Sequence, residues 1–516
     1  MKKSTLPFRS IGVLLADHAA SHPCKTAIFD LDSGSSIDFA ELRDAVERIA
    51  ALLERRGVKS GDRIALLCDE RIEKILVFLA IWRVGAVACP FHVESGMDHL
   101  RAILGHINPT LVLLHRELAG VLPGADDIIQ FGDWNPADQS PGLFSMLPMD
   151  AVAAATNGPD DIACIFSTSG TTDRPKCGVW DHLGLWLCGL STIDFTAMAG
   201  DDRVLEYRTF SWLSPQIITL MPFLATGLTI YMARRFSHGR FFNWIRDHDI
   251  TVAVGIPTVV NMLLSKPVAV TADDLPSLRL MTSSSAPLAP DQWRAFEDHY
   301  KIKLLQFYGA SEGGWLCGNR HDNRKIGTAG RPAKHMDLAI IDGDGAVCSP
   351  GVEGEISIRG PQTAVATITP DGNYEDHGPY RLFERMRCGD LGIMDEGGFV
   401  TVTGRVKDLI IRGGVNIAPL EIDGVVMRHD KIHEAAAVGI PDEIYGEEVI
   451  CYVVLRDDAV LEDGELEAYC RAILPDVKTP KRFIMVRDLP KSDRGKIRRD
   501  QLKKLWLRQQ EQARSS

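Results

Sequence analysis

Short apolar runs alternate with segments of helical length along the chain as far as Tyr308. The run Arg63–Cys68 predicts a buried strand, and Ile72–Val84 carries apolar residues at helical spacing, which predicts a helix after it. The same alternation returns in the strand Thr251–Val254 and the helix Pro257–Leu264. Because alternating strands and helices form parallel sheets with crossover helices, this pattern predicts an α/β fold.

Turns rich in Gly and Asp separate shorter strands beyond residue 330. Asp337–Ile341, Gly354–Ile358 and Gly398–Val402 have the spacing of an antiparallel section. Short strands and two helices then follow, with enough residues for a compact α+β unit of its own.

These patterns divide the chain into three predicted parts. A large N-terminal domain over 1–403 contains the parallel-type sheets with crossover helices and the small β-rich section. A hinge covers 404–408, and a small, mobile α+β domain covers 409–516.

The segment Thr209–Ala233 has no charged residue, so its length would allow it to span a bilayer. Because Pro215, Gln216, Pro222 and Gly227 interrupt it, we predict a buried helix followed by a strand.

Composition narrows the class of protein. The 57 Lys and Arg residues against 69 Asp and Glu residues give a net charge of −12, which argues against a nucleic-acid-binding protein. The 11 cysteines include no Cys-x-x-Cys pair, so a zinc cluster is not expected. No signal-peptide pattern stands at the start, and we predict a cytoplasmic protein without a membrane span.

The segment 165–176, Ile-Phe-Ser-Thr-Ser-Gly-Thr-Thr-Asp-Arg-Pro-Lys, carries the most distinctive chemistry. A strand leads into a loop of hydroxyl residues around Gly170, and the loop ends at Lys176. Hydroxyls, free backbone N–H groups and an ammonium are what a loop needs to hold polyphosphate. It is not a Walker A loop, because Pro175 and Cys177 occupy the positions that require Gly and Ser or Thr.

This loop resembles the phosphate loop of the adenylate-forming superfamily, which includes acyl-CoA synthetases, adenylation domains of peptide synthetases and firefly luciferase. Its usual form is TSGTTGxPKG, from which this chain departs at Asp173 and Cys177. Four further segments are similar to motifs of that superfamily and follow in its order. They are Tyr308-Gly-Ala-Ser-Glu312, Ser283-Ser-Ser-Ala-Pro-Leu288, Cys388-Gly-Asp390 and Pro490-Lys-Ser-Asp-Arg-Gly-Lys496.

The resemblance implies roles for individual residues. Tyr308 stacks on adenine, Ser311 bonds the α-phosphate, and Glu312 holds Mg²⁺. Asp390 and Arg405 contact the ribose. The implied ATP- and AMP-binding residues are Thr168, Ser169, Gly170, Thr171, Thr172, Lys176, Ser284, Ser285, Ala286, Pro287, Tyr308, Gly309, Ala310, Ser311, Asp390, Val402, Arg405 and Lys496.

The resemblance also implies a moving C-terminal domain. Lys407 is the hinge position, and Lys496 is the mobile catalytic lysine. The turn with Gly413, Gly414 and Asn416 is the implied CoA-binding segment, since adjacent glycines would let a narrow pantetheine arm pass the backbone.

The implied reaction is that of an ATP-dependent carboxylic acid–CoA ligase. A carboxylate attacks the α-phosphate of ATP to give an acyl-adenylate and pyrophosphate, and a thiol then displaces AMP. ATP, Mg²⁺ and coenzyme A are the implied cofactors. We expect CoA rather than a carrier protein as the thiol, because no carrier with its serine attachment motif follows Lys496; a stand-alone enzyme that loads a carrier protein is the alternative.

The acid is less defined by the sequence. The predicted acyl pocket contains Arg208, Phe210, Trp212, Ser283 and Gly309. The two aromatic rings favour a small acid, whereas Arg208 and the serines favour a polar acid or a second anionic group. An aromatic acid stays open, and a structural salt bridge of Arg208 is an equal alternative.

Two other classes of function compete. Residues 309–313 spell Gly-x-Ser-x-Gly, the nucleophile elbow of α/β-hydrolases, with Ser311 as nucleophile and Asp390 with His429 or His433 as partners. The glycine-rich residues after it are poor helix formers, which argues against an elbow. A non-catalytic nucleotide-binding module is the second class, because Asp173 alters the phosphate loop. Carboxylate-dependent ATP–pyrophosphate exchange separates all three.

Overall fold

A computed structural model gives the fold of most of the chain. It describes residues 6–94, 96–120, 128–134, 157–167, 176–369, 371, 373–456, 458–491 and 496–515.

Helices and strands alternate through the first part of the described chain, as the sequence pattern predicts. The helices are α1 (Ile11–Ser21), α2 (Phe39–Arg55), α3 (Ile72–Arg83), α4 (Met97–Ile107), α5 (His182–Thr196), α6 (Leu213–Pro215), α7 (Met221–Thr226), α8 (Phe241–Asp247), α9 (Pro257–Ser265), α10 (Pro290–Tyr300), α11 (Gly378–Leu382), α12 (Pro419–Val426), α13 (Glu465–Arg471) and α14 (Arg499–Ser515).

The strands form four sheets. They are β1 (Thr26–Asp30), β2 (Ser36–Asp38), β3 (Arg63–Leu67), β4 (Val87–Phe91), β5 (Leu111–His115), β6 (Ile128–Phe131), β7 (Ile162–Ser167), β8 (Cys177–Asp181), β9 (Arg203–Glu206), β10 (Thr229–Met232), β11 (Val252–Ala253), β12 (Leu280–Ser283), β13 (Leu304–Ala310), β14 (Gly314–Gly318), β15 (Arg331–Pro332), β16 (Asp337–Ile341), β17 (Gly354–Arg359), β18 (Ala366–Ile368), β19 (Tyr374–Asp376), β20 (Met386–Met394), β21 (Val400–Arg405), β22 (Ile410–Arg412), β23 (Val415–Ile417), β24 (Ile432–Asp442), β25 (Gly446–Leu455) and β26 (Arg482–Met485).

Two large sheets have parallel centres and antiparallel ends. One has the order β19-β18-β8-β7-β4-β3-β5-β6, and the other has the order β15-β14-β13-β12-β11-β9-β10-β1-β2. Their inner faces share one core, to which Ile64 on β3, Val204 on β9 and Leu305 on β13 contribute. The predicted α/β fold is confirmed, and the structure adds antiparallel pairs such as β7–β8 and β13–β14 to it.

Helix α3 lies inside this core. The sequence shows one apolar stripe on it, yet all twelve residues of Ile72–Arg83 are buried, including Glu73 and Lys74. The charged side chains are accommodated because they have partners: Lys74 contacts Glu70 and donates to Ser211 Oγ at 2.9 Å.

The uncharged stretch 209–233 folds as predicted, into a helix with a π-helical turn over Gln216–Leu220 and then strand β10. Among the described helices, none is long and apolar enough to cross a membrane.

The later part of the chain forms two smaller sheets. The antiparallel sheet β16-β17-β20-β21 is the predicted β-rich section. The last sheet, β23-β22-β25-β24 with β26, carries α12 and α13 on one face and α14 on the other. Leu502 and Trp506 of α14 pack against the sheet. The boundaries 1–403, 404–408 and 409–516 stay a prediction.

Candidate active site

The ends of strands β12 and β13 bring the predicted adenine-binding residues together. The two strands are parallel, and Ser283 pairs with Gln306. Gln306 Nε2 donates to the carbonyl of Ala286 at 3.0 Å, which fixes the serine turn beside β13. Ser285 in this turn has φ +74°, a left-handed conformation that Gly adopts at lower cost.

Tyr308, Asp390 and Arg405 form one hydrogen-bonded group. Tyr308 Oη donates to Asp390 Oδ2 at 2.5 Å, and Arg405 Nε lies 3.0 Å from Asp390 Oδ1. Asp390 and Arg405 are paired across β20 and β21. Burial and the Asp390 carboxylate raise the pKa of Tyr308 well above its ordinary value, so the phenol stays a donor.

This group leaves capacity for a ligand. A carboxylate offers about four lone-pair sites, and Tyr308 and Arg405 use two of them. Asp390 can therefore also accept hydrogen bonds from two ribose hydroxyls. Val402 lies on the adjacent strand β21 and is partly buried against the core.

A tight turn between β13 and β14 carries Ser311 and Glu312. The N–H of Ala364 donates to the carbonyl of Glu312 at 2.9 Å and holds the turn against the neighbouring segment. The residues after the turn form the antiparallel strand β14, so no helix opens behind Ser311.

The nucleophile elbow predicted for a hydrolase is therefore wrong, because an elbow is a strand-to-helix turn. The proposed acid Asp390 is bonded to Tyr308 and Arg405. His429 lies instead beside Glu465, with Nε2 3.4 Å from Oε1. The run of glycines after Ser311 was the sequence signal for this outcome.

The predicted phosphate-loop residues Thr168, Ser169, Gly170, Thr171 and Thr172 lie outside the described residues. The loop joins the antiparallel strands β7 and β8, and Lys176 at its end is exposed.

Gly178 brings β8 close to the turn that carries Ser311. A Cβ atom at Gly178 would lie 3.5 Å from the Ser311 carbonyl oxygen and 3.3 Å from Trp180 Nε1. Strand β8, which begins directly after Lys176, is therefore adjacent to the turn that carries Ser311.

Two buried polar residues near this turn were not predicted from the sequence. His377 and Thr367 are buried, and His377 Nε2 lies 3.3 Å from Thr367 Oγ1. His377 Nδ1 has no partner, and burial lowers the pKa of His377. No motif includes either residue, and only the fold shows that they lie beside β8.

The predicted acyl-pocket residues differ from one another in burial and in their contacts. Arg208 is buried and forms a two-point ion pair with Glu206, with Nη2–Oε2 2.7 Å and Nε–Oε1 2.9 Å. The Phe210 side chain is fully buried in the main core, whereas Trp212 is partly exposed with its ring 5.3 Å from that of His92. The structural salt bridge of Arg208 is thus present.

Unpartnered polar atoms remain in this region. Arg208 Nη1 and the hydroxyls of Ser283 and Ser284 are buried and have no hydrogen-bond partner. Buried polar groups are normally paired, so these atoms are available to a polar ligand.

The predicted CoA-binding glycines form a two-residue hairpin turn. Gly413 has φ +57° and Gly414 has φ +83°, and the turn joins β22 to β23. Two successive positive φ values are a type I′ requirement, so the turn itself explains both glycines. Asn416 is exposed on β23.

Comparison with known proteins identifies the family. The chain matches the family described as AMP-binding enzyme over residues 15–366, and the family described as AMP-binding enzyme C-terminal domain over residues 421–496. The chain belongs to the AMP-binding enzyme family. The predicted adenylate-forming superfamily and the predicted AMP-forming ligase class are confirmed.

Individual members of this family match almost end to end. A probable CoA ligase of Humulus lupulus is 30% identical, with 94% of this chain and 94% of that protein covered. A sulfoacetate–CoA ligase of Cupriavidus necator is 30% identical, with 95% and 97% covered. The ATP-bound structure of MatB from Rhodopseudomonas palustris has a TM-score of 0.86 at 26% identity, with 96% and 99% covered.

The chemistry of the AMP-binding enzyme site fits a magnesium ion held together with phosphate. Among the described residues, no group of three His, Cys, Asp or Glu side chains could hold a metal ion. Mg²⁺ commonly takes one or two carboxylates together with substrate phosphates and water, so Glu312 fits such a site. That role of Glu312 stays a prediction.

Lys407 and Lys496 are the residues predicted to act through motion of the C-terminal domain. Lys407 lies before β22, and Lys496 lies before α14. Lys407 is exposed in a single 3₁₀ turn, Val406–Asp408, between β21 and β22. Lys496 is partly buried three residues before α14. Their roles as hinge and catalytic lysine stay predictions.

Proposed function

We propose that this protein is an ATP-dependent carboxylic acid–CoA ligase that acts on a small acid with a second polar or anionic group. In the first step, a carboxylate oxygen bonds to the α-phosphorus of ATP and pyrophosphate leaves with the electrons of the broken P–O bond. In the second step, the CoA sulfur bonds to the acyl carbon and AMP leaves, giving a thioester.

The Tyr308–Asp390–Arg405 group carries this proposal. The 2.5 Å contact of Tyr308 with Asp390 joins the end of β13 to β20, and the 3.0 Å contact of Arg405 with Asp390 joins β20 to β21. A neutral phenol ring beside a carboxylate and a guanidinium suits an adenosine, whose ribose presents two hydroxyls and whose base presents a flat face.

The first step brings two anions together, so cations must be near the α-phosphate. Lys496 supplies a charge that contacts both the acid and the phosphate, and Lys176 supplies one at the phosphate loop. Glu312 would hold a magnesium ion, which neutralises phosphate charge when bound.

A second anionic group on the acid would satisfy the unpartnered atoms of the acyl region. Arg208 lies just beyond β9 and Ser284 just beyond β12, two strands that flank β11 in the same sheet. Their unpartnered Nη1 and Oγ are donors that a carboxylate or sulfonate accepts from. The related sulfoacetate–CoA ligase acts on an acid of this kind.

A panel of acids tests the proposal. Short dicarboxylic, sulfonated, monocarboxylic and aromatic acids are assayed for ATP–pyrophosphate exchange and for AMP formation with CoA. We expect exchange with a small acid that carries a second anionic group, and AMP formation only when CoA is added. Exchange with monocarboxylic or aromatic acids alone would contradict the substrate class, and no exchange with any acid would contradict the reaction.

Lys496→Ala identifies the catalytic lysine. We expect loss of exchange but retention of thioester formation from a supplied acyl-adenylate, because that step does not need the adenylation lysine. Equal loss of both steps would contradict the role of Lys496.

A further inference from the structure

A buried ion pair joins three elements of the C-terminal part of the chain. Asp423 on α12 is 2% exposed, and its Oδ1 accepts the backbone N–H of Ala437 at 2.6 Å. Its Oδ2 accepts from Arg499 Nη2 at the start of α14. Arg499 Nε donates in turn to the carbonyl oxygen of Ala437 at 3.1 Å. These contacts close a ring that ties α12, β24 and α14 together.

Lys496 stands three residues before this ring. The N–H of Arg498 donates to the Pro490 carbonyl oxygen at 2.8 Å, and Lys491 pairs with Ile497 in an isolated antiparallel bridge. These contacts form the base of the loop that carries Lys496, and Arg499 is the first residue beyond that base. Only Ile497 and Arg498 separate Arg499 from Lys496, and both are held by these contacts, so we expect a shift of Arg499 to reach Lys496.

In the proposed reaction, such a displacement of Lys496 would lower the rate of adenylation. Lys496 must lie between the carboxylate and the α-phosphate, and a misplacement of about 1 Å can cost on the order of 10²-fold in rate. A lysine side chain is long and flexible, so its base must be fixed. The guanidinium of Arg499 does this with donors in a rigid, planar arrangement.

We infer that Asp423 and Arg499 are positioning residues that hold Lys496 for the adenylation step. The inference rests on the proposed function and names residues outside the motif that contains Lys496. A purely structural pair would behave differently, since loss of it would lower both steps through the stability of the C-terminal part.

Separate assays of the two steps distinguish these roles. Asp423→Asn keeps an acceptor for the Ala437 N–H but loses the charge, and Arg499→Lys keeps the charge but loses the planar arrangement. We expect the kcat of ATP–pyrophosphate exchange to fall about 10-fold or more in each variant, while thioester formation from supplied acyl-adenylate changes less than about 2-fold. The KM for ATP should change less than the kcat, because both variants keep the Tyr308–Asp390–Arg405 contacts.

A matched control contacts the same helix from β25. Tyr452 Oη donates to the Leu502 carbonyl oxygen on α14 at 3.2 Å, so Tyr452→Phe removes a buried contact with a residue further along the chain from Lys496. We expect Tyr452→Phe to leave the ratio of the two rates unchanged.

The double variant Asp423→Asn/Arg499→Lys should have an exchange rate no lower than that of the less active single variant, because the pair acts as one unit.

Three results would overturn the inference. One is an equal fall in both steps, one is full exchange activity in both variants, and one is the same selective loss in Tyr452→Phe. If the unchanged protein shows no exchange with any acid, the proposed function fails and the inference fails with it. If Asp423→Asn does not fold, Arg499→Lys alone decides between the outcomes.

Discussion

Arg208 forms a buried ion pair and has one further donor without a partner. Two of its nitrogens pair with Glu206, and the third, Nη1, has no partner. Glu206 is also held by Thr219 Oγ1 at 2.8 Å. The ion pair therefore fixes the guanidinium, and Nη1 is the donor that the proposed function assigns to the second group of the acid.

Removal of Arg208 alone should be strongly destabilising. Arg208→Met leaves the Glu206 carboxylate buried without its cation, and breaking a buried pair in this way costs roughly 3–5 kcal/mol. The free energy of unfolding from urea titrations measures this loss.

The double variant Arg208→Met/Glu206→Gln separates stability from selectivity. It should recover most of the stability, because no buried charge is left unpaired. It should also lose its preference for an acid with a second anionic group over the matching monocarboxylic acid. A double variant that keeps this preference would show that Arg208 has only the structural role.

Asp390 is the centre of the group that we propose binds the nucleotide. Asp390→Asn removes the charge that Arg405 contacts and weakens the acceptor for Tyr308 and ribose. Because hydrogen bonds to charged groups contribute about 1.5–3 kcal/mol, we expect the KM for ATP to rise roughly 10- to 100-fold in the exchange assay. Tyr308→Phe, which keeps the carboxylate and Arg405, should raise it less; an equal or larger effect would contradict a ribose role for Asp390.

Local motifs predicted Tyr308, Asp390 and Arg405, and the structure brings the three together. The motifs could not predict that Tyr308 and Asp390, 82 residues apart, are bonded to each other. Partners such as Glu206 or His377 depend on which strands are neighbours, and no short pattern in the sequence encodes that.

The Gly413–Gly414 hairpin allows a test of CoA binding within one turn. Gly414 has φ +83°, and no heavy atom lies within 4 Å of where its Cβ would be. Gly414→Ala therefore adds left-handed strain of about 1–2 kcal/mol but no clash. If the pantetheine arm passes this turn, thioester formation should fall several-fold while ATP–pyrophosphate exchange is preserved.

Gly464 provides the matched control. It has φ +76° before α13, and its Cβ position is equally open. Gly464→Ala should have the same cost in stability and leave both steps unchanged. Similar losses of thioester formation in the two variants would mean that backbone strain, not CoA contact, is responsible.

Helices and strands differed in how well the sequence predicted them. Ile72–Val84 was predicted as a helix from one apolar stripe, yet every residue of the observed helix Ile72–Arg83 is buried, because α3 is enclosed by the shared core. Helix α14 was not predicted from the sequence, although its Leu502 and Trp506 pack against the sheet. Periodicity identifies an element, but its neighbours decide how many of its faces are buried.

The arrangement of sheets is the property that sequence predicted least. Alternation of strands and helices predicts parallel sheets, but it does not give the order β12-β11-β9, in which the strands before Ser284 and Arg208 flank the same neighbour. Nor does it give the antiparallel pair β13–β14, which excludes the hydrolase elbow at Ser311. Both depend on contacts between residues distant along the chain.

The C-terminal part should respond to pH through Asp423. Burial raises the pKa of Asp423 from its ordinary 3.8 to about 6, although Arg499 acts in the opposite direction and Asp408 adds to the rise. A pKa raised in the folded state means that folding favours the neutral form. Ionisation therefore costs about 3 kcal/mol of local stability, a cost absent below pH 4 and fully present above about pH 6.

Amide hydrogen exchange of peptides from α12 and β24 measures this effect locally. After correction for the intrinsic rate, protection in the unchanged protein should decrease as the pH rises from about 4 to about 6. Asp423→Asn has no carboxyl to titrate, so its protection should be flat over this range. Parallel pH profiles for the two proteins would show that another group titrates there, and a rise in protection with pH would mean that the Arg499 pair outweighs the burial of Asp423.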